Sequence, residues 1–193
     1  MNLEILYVIL YAYLLGSFPF GLILTKVFLG KDIRNVGSGN VGATNVLRTG
    51  KKSLGFFTLA LDGLKGYIAV VTTFYYFIDY VYLAALLSFL GHIFPIWFKF
   101  KGGKGIAVFL GILLALSINL GIIFIIFWVL ILCLTKYASV SSLVSIGIIF
   151  VYSIYLENSS ESIFFFIILV MAIYTHRENI VRLKNKTENK INL

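Results

Sequence analysis

Residues 37–45 read GSGNVGATN, and the first six spell G-x-G-x-x-G through Gly37, Gly39 and Gly42. Asp62 follows Gly42 by twenty positions, where a dinucleotide-binding domain keeps the acid that holds a ribose. A true fingerprint would make this an α/β nucleotide fold, but it carries that meaning only between a strand and a helix inside a βαβ unit. Here an apolar run, Leu3–Leu24, and a basic loop precede it, and Asp62 lies within another apolar run. The match is a decoy. KGGKG at 101–105 likewise fails as a Walker loop, because Lys104 is followed by Gly105 and Phe98 stands where the first glycine belongs. Neither NAD nor ATP is implied, and no cofactor is expected.

The flanks of that stretch decide the fold. Of 193 residues, 60% are apolar and only 12% charged, with a mean hydropathy of +0.99, far from the roughly 25% charged residues of soluble domains. Apolar runs recur at Leu3–Leu24, Leu54–Ile78, Tyr80–Trp97, Ile106–Leu134, Leu143–Leu156 and Ile163–Tyr174. Several reach the roughly 17–25 residues a membrane-spanning helix needs. The expectation is an all-α, polytopic integral membrane bundle forming one catalytic domain over residues 1–183, with a basic polar tail at 184–193. MNLEILYVIL lacks the basic start of a secretory signal and reads as a retained first span. Cys133, the single cysteine, lies in an apolar run and reads as packing.

Charge sets the topology. The 16 Lys and Arg fall at 26–52, 99–104, 136 and from 177 onward, Lys65 excepted, and each cluster is expected to face the cytoplasm. The other connections carry only Glu4, Asp79, Glu157 and Glu161. If Ile106–Leu134 were one helix, Lys136 would be outside; a break in SINLG, Ser117–Gly121, keeps it inside. This predicts seven transmembrane helices, the N-terminus outside and the C-terminus cytoplasmic.

Glycines let backbone amides approach an anion closely, and a following helix adds its positive end. Around GSGNVGATN stand Ser38, Asn40, Thr44 and Asn45 as neutral donors and Arg48 as a bidentate clamp. FKFKGGKGIA presents Lys99, Lys101 and Lys104 beside Gly102 and Gly103, KYASVSSL offers Ser139, Ser141 and Ser142, and HRENIVRL sets His176 three residues from Asn179. These four segments are either one joint site for a substrate with several anionic groups or four separate helix caps.

Together with LLGSFPFG (Leu14–Gly21), RNVGSGNVGATNVLR (Arg34–Arg48), LDGLKG (Leu61–Gly66), GHIFPIWFKFKGGKGIA (Gly91–Ala107) and HRENIVRL (His176–Leu183), the chain closely resembles the bacterial acyl-phosphate:glycerol-3-phosphate acyltransferases. The resemblance implies a multi-pass enzyme of the bacterial inner membrane, its active site facing the cytoplasm. Such an enzyme transfers a fatty acyl group from an acyl phosphate to the sn-1 hydroxyl of glycerol-3-phosphate, the first acylation of phospholipid synthesis. Lysophosphatidic acid and phosphate are the products. The serine segment departs in having adjacent Ser141 and Ser142, of which Ser142 is taken as the functional hydroxyl. Lys186 stands where the family often has glycine.

An acyl phosphate already has a good leaving group, so direct transfer needs charge and position rather than a covalent intermediate. Arg48 and Lys104 are expected to offset the two substrate phosphates. Ser38, Asn40, Asn45, Ser142 and the amides near Gly102 and Gly103 complete the cradle. Either His176 is the base for the attacking hydroxyl, or it is a hydrogen-bond donor to glycerol phosphate and a substrate phosphate takes the proton; Asn179 can orient either arrangement. His92, just ahead of Pro95, reads first as a residue satisfying a kinked helix or its interface, with contact to substrate as the lesser alternative. Asp62 and Lys65, three apart in the second span, should pair, since an unpaired charge there is costly. No metal ligand cluster is present in the sequence, and neither nucleic acid nor an obligate protein partner is expected. The competing reading is a carrier of an anionic phosphorylated solute.

Overall fold

The structure, a computed structural model, describes residues 3–157 and 159–191, and every regular element among them is helical. The chain divides into two compact units, one ending at Leu116 and one starting at Ser117.

In the first unit, α1 (Leu3–Gly16) and α2 (Phe20–Leu29) share one 27-residue apolar stretch, long enough to cross a membrane. The break between them follows from Pro19, which lacks an amide donor and disfavours helical backbone at the residue before it. Ser17 tidies the break: its Oγ donates to the Leu14 carbonyl (2.8 Å) and accepts from Trp97 Nε1 (2.9 Å). A loop carrying the short α3 (Ala43–Leu47) leads to α4 (Lys52–Tyr76), α5 (Val81–Ile93) and α6 (Ile106–Leu116).

Lipid gives helices no hydrophobic reason to associate, so close backbone approach at small residues takes its place. A Cβ on Gly16 would strike the Ser88 carbonyl and one on Gly91 the Tyr13 carbonyl, locking α1 to α5. A Cβ on Gly111 would strike Gly63 backbone, locking α6 to α4. Hydroxyls inside the spans bond back to their own helices, as Thr25 does to Gly21 (2.9 Å), Thr58 to Leu54 (2.7 Å) and Thr73 to Ala69 (2.8 Å), which satisfies these three groups within the span.

The second unit holds α7 (Ile118–Thr135), α8 (Ala138–Tyr155), α9 (Ser159–Thr175) and α10 (Arg177–Lys184). The break expected within Ser117–Gly121 falls at Ser117, whose backbone is extended (φ −161°, ψ 128°) between α6 and α7. Five helical stretches among the described residues are long and apolar enough to cross a membrane, and there are six if α9 and α10, bent by 58°, count as one span. The seven-helix expectation therefore turns on α6. Its 11 residues reach about 16 Å, short of a roughly 30 Å hydrocarbon core.

Past α10 the chain folds back on its own unit. The Thr187 amide donates to the Arg182 carbonyl (2.8 Å), and the Ile191 amide reaches the Lys136 carbonyl (2.8 Å). The segment read as a tail from 184 is thus docked through residue 191.

Candidate functional site

The glycine loop of the first unit is built on Asn45. This buried side chain uses both faces of its amide: Oδ1 accepts from the Ser38 amide (3.0 Å), while Nδ2 donates to the carbonyls of Val36 (2.8 Å), Asn40 (2.8 Å) and Ile33 (3.2 Å). An amide has two donors and one two-lone-pair acceptor, so Asn45 is spent on shaping the loop rather than on offering a donor to a ligand. Asn40 is half committed, its Oδ1 accepting from the Gly42 amide (2.8 Å). Gly37 has φ +56°, and a Cβ there would press on Asn45 Oδ1 and on Arg48, 3.1 Å from its Cδ. The missing side chain is what lets Arg48 lie across the turn.

Two arginines flank this loop, and their states differ. Arg34 is forked onto Asp32, with Nε 2.9 Å from Oδ1 and Nη2 2.6 Å from Oδ2, and its guanidinium lies 5.2 Å from the Phe98 ring centre. The Arg34 hydrogen bond pulls the Asp32 carboxyl down to about 2, against a small opposing effect of burial. The Arg48 guanidinium makes no hydrogen bond or ion pair with any described residue, and the residue is exposed. It is the uncommitted cation of the loop.

The KGGK turn departs from expectation. The Gly102 and Gly103 amides do not point to an open cradle: they donate to the carbonyls of Ile93 (3.0 Å) and His92 (3.1 Å). Those carbonyls end α5, where no helical partner remains, and the chain returns to cap them after left-handed backbone at Lys99 (φ 51°) and Phe100 (φ 62°). A Cβ on Gly102 would meet the His92 carbonyl and Pro95, and one on Gly103 the His92 ring. The glycines allow close approach to the protein's own helix end. What the turn delivers is Lys104, half-buried at the entry to α6.

Beneath this turn the expected pair of α4 is in place. Lys65 Nζ lies 2.9 Å from Asp62 Oδ1, both residues 2% exposed. The contact is an ion pair without hydrogen-bond direction, for Asp62 Oδ1 makes no directed bond. The ammonium also donates to the Phe18 carbonyl (2.8 Å) and contacts His92 Nδ1 (2.9 Å). Sequence spacing showed the pair; it could not show that Lys65 ties the α1–α2 break to the end of α5.

In the second unit, His176 is buried at the bend between α9 and α10. Its Nδ1 lies 2.8 Å from the Ala172 carbonyl, so Nδ1 carries the proton and Nε2 of the neutral ring is the acceptor. Asn179 Nδ2 donates to Glu188 Oε1 (2.5 Å), which also accepts from Ser139 Oγ (3.1 Å), and Arg182 Nε donates to Oε2 (2.7 Å). Ser142 Oγ donates to the Ala138 carbonyl (2.8 Å) and accepts from Trp128 Nε1 (3.1 Å), while Ser141 bonds back to Tyr137 (3.0 Å). Glu188 escaped the sequence reading, though a lone acid between Lys186 and Lys190 was the available signal.

Burial would raise the Glu188 carboxyl, but donors from Asn179, Arg182 and Ser139 hold it below its ordinary value. A depressed carboxyl stabilises the fold above its unfolded pKa and loses that contribution as pH falls through the folded one. Glu188→Gln should lower the thermal midpoint by a few degrees at pH 7. It should also flatten the midpoint's fall below about pH 4.5, the unfolded glutamate region. Scanning fluorimetry from pH 3 to 8 checks this; a variant as acid-sensitive as the parent contradicts it.

Residues 6–186 match the family model described as glycerol-3-phosphate acyltransferase. A relative of that name from Pelagibacter ubique is 55% identical over 188 residues, covering 97% of this chain and 98% of the relative. One from Bradyrhizobium diazoefficiens is 47% identical over 180 residues, covering 93% and 91%. Among solved structures, PlsY, an integral membrane glycerol 3-phosphate acyltransferase, superposes in its glycerol 3-phosphate form with a TM-score of 0.90 at 37% identity, covering 98% of this chain and 96% of that one. Its lysophosphatidic acid form gives 0.89 at 35% identity. Agreement at this level over nearly the full length of both partners leaves one conclusion: the chain belongs to the glycerol-3-phosphate acyltransferase family.

Proposed function

We propose that the protein transfers a fatty acyl group from an acyl phosphate to the sn-1 hydroxyl of glycerol-3-phosphate, on the cytoplasmic side of the bacterial inner membrane. The observation that carries this reading is Arg48: an uncommitted guanidinium laid across a glycine turn, in a chain whose relatives are named for a phosphate-bearing substrate.

In the proposed step, the substrate hydroxyl oxygen attacks the acyl carbonyl carbon and the carbon–oxygen bond to phosphate breaks. Inorganic phosphate leaves with the electron pair, and the hydroxyl proton passes to His176 Nε2. Arg48 and Lys104 hold phosphate charge, Ser38, Asn40 and Ser142 supply neutral contacts, and Asn179 orients the group His176 serves. Asn45, Gly102 and Gly103 act by shape, as the hydrogen bonds above require. No metal or cofactor takes part in the proposed step.

Detergent-purified protein given palmitoyl phosphate and glycerol-3-phosphate should release phosphate and form lysophosphatidic acid without magnesium or coenzyme A. Strict dependence on acyl-coenzyme A would overturn the donor. Uptake of glycerol-3-phosphate into vesicles with no phosphate release would favour the carrier reading instead.

The seven-span topology belongs to the same proposal. With Cys133→Ala as background, Lys51→Cys should react with an impermeant maleimide only from the cytoplasmic side and Ser159→Cys only from outside. The reverse pattern would refute the topology.

A further inference from the structure

Resting on that reading, we propose that His92 is a further substrate-contacting residue. Its Nε2–H is a neutral donor offered at the Gly103 turn to a phosphate oxygen, and Lys65 is the positioning residue that fixes the ring in that tautomer. The Lys65 ammonium has three donors and no acceptor. Three groups surround Lys65 Nζ: the Phe18 carbonyl at 2.8 Å, Asp62 Oδ1 at 2.9 Å and His92 Nδ1 at 2.9 Å. Because the ammonium cannot accept, Nδ1 must, and a neutral imidazole accepting at Nδ1 carries its proton on Nε2.

That proton has no protein destination. Nε2 makes no hydrogen bond among the described residues, although His92 is only 6% exposed. A donor so deeply set is ordinarily satisfied by protein, ligand or ordered water. The position is also constrained: a Cβ on residue 103 would stand 2.1 Å from Nε2, so glycine there is what lets the backbone preceding Lys104 lie against this nitrogen. The cation draws the phosphate in, and the buried N–H gives it a fixed, uncharged contact. The two histidines are therefore held in opposite tautomers, His176 accepting at Nε2 and His92 donating there.

With two histidines in the chain, selective 15N-imidazole labelling yields two sets of ring signals, Nδ1 and Nε2 of each, and His92→Gln identifies the His92 set by its disappearance. The expected spectrum of the unmodified enzyme shows Nε2–H for His92 and Nδ1–H for His176, with the His92 Nε2–H resonance moving on titration with glycerol-3-phosphate, inorganic phosphate or an acyl phosphate. In Lys65→Met/Asp62→Leu, which removes both charges, His92 should show a mixture of tautomers. Kinetically, His92→Phe should raise KM for one phosphate substrate about tenfold or more, the effect of losing a hydrogen bond to a charged group. Its kcat should stay within about threefold. His92→Gln, which keeps a terminal N–H, should recover most of that affinity. Whichever KM moves identifies the phosphate involved.

An Nδ1–H tautomer for His92 in the unmodified enzyme overturns the proposal. So does a His92 signal blind to all three ligands, or an active His92→Phe with both KM values unchanged. If His92→Phe fails to fold, the spectrum of the unmodified enzyme decides. An enzyme that moves no acyl group from either donor class brings down the reaction assignment instead, while the tautomer and phosphate titration still read out His92.

Discussion

Arg48→Ala should lower kcat/KM for acyl transfer by about two to three orders of magnitude, whereas Arg34→Ala should cost less than about tenfold. The two guanidiniums leave one loop fourteen positions apart, and composition alone gives them equal standing. Their partners separate them. Arg34 is clamped by Asp32 through two short contacts and covers Phe98, so its charge is already answered inside the protein. Arg48 has no such partner and lies across Gly37, where positive φ and the absent Cβ make room for it. Removing a cation that meets charge only in the bound complex removes about 3–4 kcal/mol of transition-state stabilisation, a factor of about 10² to 10³. Arg48→Lys should stay impaired by more than about tenfold, because an ammonium cannot reproduce a planar fork. The test is phosphate release with size-exclusion profiles matched to the parent. A turnover of Arg48→Ala within about fivefold of the parent would remove it from the site.

That contrast shows where sequence reading stops. The membrane bundle was legible because hydropathy is a summed property, and the break expected within Ser117–Gly121 came at Ser117; the break at Pro19 falls inside the run read as unbroken from Leu3 to Leu24. The fingerprint at 37–45 was set aside on its flanks, and the regular elements on either side of it are helical. Side-chain commitments are another matter. Asn45 read as a ligand donor because asparagine has spare hydrogen bonds in isolation; only the folded loop shows them spent on Ser38, Val36, Asn40 and Ile33. Gly102 and Gly103 read as an anion cradle because glycine permits close approach, yet nothing in the sequence says what approaches. Here it is the orphaned carbonyls of α5. The bond between Lys65 and His92 spans 27 positions and follows no helical period, so no local pattern could announce it.

Lys65→Met should produce the largest loss of stability, about 3–5 kcal/mol, because it strands a carboxylate rather than deleting an attraction. Asp62 is 2% exposed, and Lys65 is the nearest cationic partner it has among the described residues. Methionine matches the lysine stem in bulk but leaves Asp62 without its cation and the Phe18 carbonyl at the α1–α2 break and His92 Nδ1 without their common donor. By the scaling for chains of this length, the thermal midpoint should fall by roughly 6–20 °C. Pairing Lys65→Met with Asp62→Leu should return most of that loss, since replacing both members of a buried ion pair by apolar groups is often close to neutral. The non-additivity is then the measurement: a double-mutant cycle should give a coupling of at least about 2 kcal/mol. Trp97 and Trp128 provide an intrinsic fluorescence signal for unfolding in detergent. A Lys65→Met midpoint equal to the parent's would mean that Asp62 needs no cation, and Lys65 would then lose its role as the tie between the α1–α2 break and the end of α5.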